Sequence, residues 1–99
     1  MMIQLQAVNF SLKANVSAFI KKRIEKLELY HDHIINVDVY LKVENTSEKE
    51  NKMVEVRVHI PGEEFIVKKT CKSFQESIDL AAKASERLLI KFKEKNRVY

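Results

Sequence analysis

The sequence predicts an α+β fold in which a four-stranded sheet carries two helices on one face, in the order β-α-β-β-β-α. Four segments alternate apolar and polar residues, which is the period of a half-buried strand. Two longer segments repeat apolar residues at a spacing of three and four, as an amphipathic helix does. Because each strand then has one apolar face and each helix one apolar stripe, we expect both helices to cover the same sheet face.

The N-terminal third predicts one strand and one helix. Apolar residues alternate with glutamines from Ile3 to Ala7, which indicates a short strand. Helix one is predicted from Ala14 to about Tyr30, and its start is weakly defined because Lys13 is a poor cap. Its apolar stripe comprises Val16, Phe19, Ile20, Ile24 and Leu27.

Three strands are predicted in the middle of the chain. Val37–Val43 and Val54–Ile60 alternate apolar with polar residues, and the polar stretch between them indicates a loop. Pro61 and Gly62 occupy the positions that a type II turn prefers, so the strand from Glu64 to about Thr70 is expected to pair back as a hairpin. The sheet face left in water would carry Asp38, Tyr40, Lys42, Glu55, Arg57 and His59.

A second helix is predicted from the capping box formed by Ser73 and Glu76 to about Lys95. Leu80 and Ile90 lie off its apolar stripe and are expected to be exposed. The stripe itself comprises Phe74, Ile78, Ala81, Ala82, Ser85, Leu88, Leu89 and Phe92.

Composition bounds the class of protein. With 99 residues, 45% hydrophobic and 32% charged, and a single glycine and proline, the sequence is expected to form one domain over residues 1–99. The single cysteine, Cys71, fits a reducing compartment, and the sequence has neither a leader nor a run of about 18 apolar residues. We therefore expect a cytoplasmic protein without membrane contact.

Patterns typical of catalysis are absent from the sequence. It has neither a nucleophile with a matched base nor a glycine-rich phosphate loop, so we expect neither an enzyme nor a cofactor. The run His31-Asp32-His33 supplies too few ligands for a metal site and is expected to be a helix-terminal turn.

The positive charge is concentrated on the two helices. The chain has a net charge of +4. Residues 13–26 hold five basic residues and one acid, and residues 83–97 hold six basic residues and two acids, so each segment alone has a net charge of +4. The rest of the chain therefore carries a net charge of −4. The simplest alternative is that these basic residues are ordinary hydrated surface residues. Two basic helices in a chain whose other segments are net acidic favour a polyanionic partner instead.

The spacing of these cations selects eight candidate RNA-binding residues. On helix two, Lys83, Arg87, Lys91 and Lys95 follow at intervals of four and repel one another by a few tenths of a kcal/mol per pair, a cost that a polyanion would turn into binding energy. On helix one, Lys22 and Lys26 share a face, and Arg23 lies at the rim of the apolar stripe, from which its guanidinium would project into a groove. Neither helix has the turn and recognition helix of DNA readers, which favours structured RNA over DNA. The eight are Lys22, Arg23, Lys26, Lys83, Arg87, Lys91, Lys93 and Lys95.

Five short motifs stand in a fixed order along the chain. They are KLELY at residues 26–30, VYLKVE at residues 39–44, the hairpin glycine Gly62, the aromatic Phe74, and the alternation Arg87, Leu89, Lys91, Lys93. In this order and spacing they resemble the ribosome hibernation promoting factor and ribosome-associated inhibitor A family over essentially the whole chain. Where that family usually has an aromatic and an arginine around the aspartate, this sequence has His31 and His33.

The resemblance implies a translation inhibitor that binds small-subunit ribosomal RNA in the channel used by messenger and transfer RNA. Idle ribosomes would be kept inactive in stationary or stressed cells. Arg23 and Lys26 on helix one, and Arg87, Lys91, Lys93 and Lys95 on helix two, match the family's basic positions; Lys22 and Lys83 follow from the helical spacing alone. The chain resembles the short form, without a C-terminal dimerisation domain, which is implied to act as a monomer off the ribosome and with a second small hibernation factor.

Two other functions remain open at this point. A general module for structured RNA, layered like a double-stranded RNA-binding domain, would place a basic cluster at the start of helix two, where this chain has residues 73–76, Ser-Phe-Gln-Glu. A protein-interaction adaptor would use Leu80, Ile90 or the wet sheet face.

Overall fold

The computed structural model describes residues 1–95, and within them the order of elements is the predicted β-α-β-β-β-α. A short 3₁₀ turn at Lys26–Leu29 follows the first helix. The strands are β1 (Met2–Val8), β2 (Asn36–Val43), β3 (Lys52–Ile60) and β4 (Glu63–Cys71), and the helices are α1 (Ala14–Glu25) and α2 (Phe74–Lys95).

The four strands form one sheet in the order β1-β2-β3-β4. β1 pairs with β2 in parallel, a pairing that needs a crossover connection, and α1 supplies it. The other two pairs are antiparallel. The β3–β4 hairpin turns at Pro61 and Gly62, and Gly62 has a φ of +79°, which the third position of a type II turn requires.

The core lies between the sheet and the two helices. Alternate residues of the central strands are fully buried, Val37 and Leu41 in β2 and Val56 in β3 among them. Ile24 from α1 and Leu89 from α2 are also fully buried against this sheet face. Both helices therefore cover one face, as the sequence predicts.

Three details differ from the sequence prediction. The α-helical part of helix one ends at Glu25, and the predicted remainder forms the 3₁₀ turn. The Tyr30 N–H donates to the Leu27 carbonyl at 2.9 Å, and such a tighter turn satisfies carbonyls at a helix end. Phe19 is 41% exposed, because α1 presents Ile20 and Ile24 to the core and turns Phe19 aside. Val43 is 42% exposed, one residue beyond the last pairing with β1.

Ser77 fixes the start of α2 on the sheet. Its hydroxyl is fully buried and donates to the Lys52 carbonyl at the beginning of β3, at 2.6 Å. We expect Ser77→Ala to lower the free energy of unfolding by about 0.5–1.5 kcal/mol, since the Lys52 carbonyl then loses this partner. Ser85→Ala is the matched control: the equally buried Ser85 bonds only Ala81 within the helix, so urea denaturation should show a smaller loss. Equal losses of stability in the two variants would contradict the role of Ser77 in attaching α2 to β3.

Candidate nucleic-acid interface

Four of the predicted cations form a row along α2. We call this row the α2 ridge: Lys83, Arg87, Lys91 and Lys95, all exposed. Because an α-helix has 3.6 residues per turn, residues four apart drift around its axis by about 40° per step. The ridge therefore starts beside α1, where Lys83 reaches Asp79, and ends beside the β3–β4 turn, where Lys95 shares a hollow with Glu63. Its cations are about 6 Å apart along the helix axis.

Lys93 stands apart from the ridge. It is exposed and lines a hollow of about 390 Å³ between the end of the 3₁₀ turn and the end of α2, together with Leu29 and Ile90. Leu29 is 82% exposed. The predicted exposure of Leu80 and Ile90 is confirmed, at 41% and 40%.

Basic residues of α1 and of the 3₁₀ turn after it surround a second hollow, of about 250 Å³. Lys22, Arg23 and Lys26 line it together with Phe19. These positions are three, four and seven residues from Phe19, so they lie on the same side of α1 and of the 3₁₀ turn that continues it. Lys22 and Lys26 are exposed, as predicted, and we call this surface the α1 face.

Arg23 is placed differently from the sequence expectation. Its guanidinium does not project freely into a groove but bonds two carboxylates of α2: Nε donates to Asp79 Oδ1 at 3.0 Å and Nη1 donates to Glu86 Oε2 at 2.7 Å. The Arg23 side chain is only 13% exposed. The bond to Glu86 is the main reason that the pKa of Arg23 is raised. Arg23 therefore joins the two helices and remains on the α1 face only through its stem.

Asp79 connects the α1 face with the α2 ridge. Its second oxygen, Oδ2, lies 3.3 Å from Lys83 Nζ, while its first accepts from Arg23. The hydrogen bond from Arg23 is the main reason that the pKa of Asp79 lies below its ordinary value. Two carboxylates that would repel a polyanion are thus neutralised between the basic surfaces.

Neither carboxylate partner of Arg23 was anticipated from the sequence. The available signal was the spacing of Asp79 and Glu86, seven residues apart and therefore on one face of α2. Two acids that share one face of a helix in a basic chain indicate a cation from elsewhere in the chain.

The ionised Asp79 should make stability depend on acid pH. Because its pKa is lower in the folded chain, its contribution is complete above the ordinary aspartate value of about 3.9 and is lost as the pH falls through the lower folded value. Wild type should therefore exceed Asp79→Asn in urea stability near neutral pH, and the gap should narrow below about pH 4. A gap that stays constant across the titration would contradict this role.

His31 and His33 form a turn after the 3₁₀ helix. The His33 backbone N–H donates to His31 Nδ1 at 3.0 Å, and the His31 ring lies 6.2 Å from the Phe92 ring. Within residues 1–95, no three His, Cys, Asp or Glu side chains are grouped as a metal would require. The helices of this range also include none that is long and apolar enough to cross a membrane.

Comparison with known proteins identifies the family. A statistical model of the family described as sigma 54 modulation protein / S30EA ribosomal protein matches residues 3–97. The chain belongs to the S30EA family. This membership confirms the resemblance noted in the sequence and places the chain among ribosome-associated proteins.

Two relatives of the chain are ribosome hibernation promoting factors. The chain is 32% identical to that of Azotobacter vinelandii over 77 residues, which are 78% of this chain and 68% of the relative. It is 27% identical to that of Pseudomonas putida over 97 residues, which are 98% of this chain and 91% of the relative.

Two solved structures share the fold of this chain. The N-terminal domain of Thermus thermophilus Protein Y superposes with a TM-score of 0.81 at 22% identity, covering 93% of this chain and 99% of that one. A ribosomal subunit interface protein from Coxiella burnetii superposes with a TM-score of 0.85 at 19% identity, covering 95% of this chain and 99% of that one.

Proposed function

We propose that this chain inactivates idle ribosomes by binding small-subunit ribosomal RNA in the channel used by messenger and transfer RNA. The α1 face and the α2 ridge would lie against the RNA. Family membership and the names of the relatives support a ribosomal target. The observation that carries the proposal is the continuity of the two basic surfaces through Arg23, Asp79 and Lys83.

The charges favour a polyanion over plain hydration. Ridge neighbours such as Arg87 and Lys91 repel each other in the free protein, and a phosphate between them removes that repulsion. The main acids between the helices are already neutralised: Arg23 and Lys83 hold Asp79, and Arg23 also holds Glu86. An RNA strand that crosses from one helix to the other therefore meets little net negative charge.

The start of α2 distinguishes this surface from that of a general duplex-binding module. There the Ser73 hydroxyl accepts from the Glu76 N–H at 3.2 Å, so a neutral side chain caps the helix and the first turn carries an acid. The cations gather from Lys83 onward, toward the other end of the helix. A ribosomal site reached by the C-terminal half of α2 fits this distribution.

The proposal includes the setting in which the chain acts. We infer a cytoplasmic translation inhibitor of stationary or stressed cells that is a monomer off the ribosome, uses no cofactor and acts by steric block rather than catalysis. A second small factor would assist in pairing ribosomes.

Co-sedimentation through sucrose gradients tests the proposal. Purified protein should migrate with small subunits at low salt and much less with large subunits. With about six phosphate contacts, from Lys22, Lys26 and the four ridge residues, the affinity should fall by about 0.7–0.9 log units per log unit of salt for each contact. Protein that stays at the top of the gradient, or that binds generic duplex RNA as tightly as it binds subunits, would contradict a ribosome-specific role.

A further inference from the structure

We propose that Phe19 on α1 is a stacking platform for one unpaired RNA base. This inference rests on the proposed function and deepens it. Phe19 is 41% exposed in the middle of the helix, although the core beside it is closed by fully buried Ile20 and Ile24. A single exposed aromatic is unremarkable on its own. What distinguishes Phe19 is that it lines the 250 Å³ hollow together with Lys22, Arg23 and Lys26.

Each residue of this hollow supplies a different part of a nucleotide site. Phe19 offers a π-face on which any base can stack. Arg23 is held by Asp79 and Glu86, so its stem forms a fixed wall one turn along the helix. Lys22 and Lys26 are exposed and long enough to reach phosphates on either side of the base.

The composition of the hollow favours RNA over a protein partner. An apolar protein side chain would gain nothing from two lysines, whereas a stacked nucleotide uses both the ring and the charges. A continuous duplex hides its base faces, so the ligand must be a base in a loop, bulge or single strand.

Fluorescence tests the stacking directly. The sequence contains no tryptophan, so Phe19→Trp introduces a single reporter. A short oligoadenosine should quench this indole, whereas a duplex RNA of equal length should quench it much less. Leu80→Trp is the matched control because Leu80 is equally exposed, at 41%, on the other helix. Equal quenching of the two reporters, or no quenching of the first, would overturn the proposal.

Binding to small subunits provides the second arm. Phe19→Leu keeps an apolar side chain but removes the ring, and should weaken binding roughly 5- to 150-fold, the range for one stacked base. The salt dependence should not change, because no cation is lost, and Phe19→Tyr should restore affinity. Tight binding by both wild type and Phe19→Leu would overturn the stacking proposal but leave the proposed function intact. Failure of the wild type to bind would overturn the proposed function.

Discussion

Reversing two charges of the α2 ridge, by Arg87→Glu with Lys91→Glu, should weaken binding to small subunits on the order of 10²- to 10³-fold. Both side chains are exposed and lie at the middle of the ridge. The substitution removes two phosphate contacts and adds two repulsive carboxylates, which together correspond to about 3–4 kcal/mol. The fold should persist, because carboxylates at positions 87 and 91 repel each other about as much as Arg87 and Lys91 do, and each lies four residues from Lys83 or Lys95.

Lys68→Glu with Lys69→Glu is the matched control for this ridge variant. Both lysines are exposed on β4, and the substitution changes the net charge by the same amount. If the helices carry the binding surface, gradient sedimentation should show the control variant on subunits and the ridge variant free. Equal loss in both variants would mean that overall charge alone determines binding, and full binding by the ridge variant would favour the adaptor hypothesis.

Removing the cation that joins the helices should damage both stability and binding. Arg23→Met keeps an apolar stem but leaves Glu86 without its partner and leaves Asp79 with Lys83 alone. Because Glu86 is only 13% exposed, we expect the free energy of unfolding to fall by about 2–4 kcal/mol; the Asp79 part is the smaller, since that side chain is 42% exposed and screened by solvent. Binding should also weaken, because Glu86 then adds one uncompensated negative charge between the basic surfaces.

A second substitution isolates the contribution of the unpaired Glu86 carboxylate to the loss of stability. Adding Glu86→Gln to Arg23→Met should recover part of the lost stability, because the uncompensated buried charge is removed. Arg57→Met is the control: Arg57 also pairs with a carboxylate, Glu55 at 2.7 Å, but on the open sheet face. Urea denaturation should show little change for the Arg57 variant. A similar loss in the two arginine variants would contradict the special role of Arg23.

Most of the fold follows from local patterns in the sequence. The strict alternation in β2 and β3 leaves one way to bury the valines, and the Ser73–Glu76 cap places the start of α2. Burial along α1 was harder to predict because Phe19 and Ile20 are adjacent, and a difference of one residue on a helix rotates a side chain by about 100°. Packing against the sheet selected Ile20 for the core.

The candidate site was only partly predictable for a similar reason. Exposed lysines such as Lys22 and Lys91 follow from helical spacing, because nothing in the core competes for them. The partners of Arg23 are 56 and 63 residues away in the chain, so their contact depends on how the two helices dock. Spacing within one helix carries no information on that docking.

The occupancy of the ribosomal channel provides the most direct test of the central claim. Small subunits with an empty channel and small subunits preloaded with messenger RNA and transfer RNA should be sedimented with equal amounts of the protein. The steric-block proposal predicts that the protein co-sediments with empty subunits and is excluded from loaded ones. Equal binding to both would contradict a site in the channel.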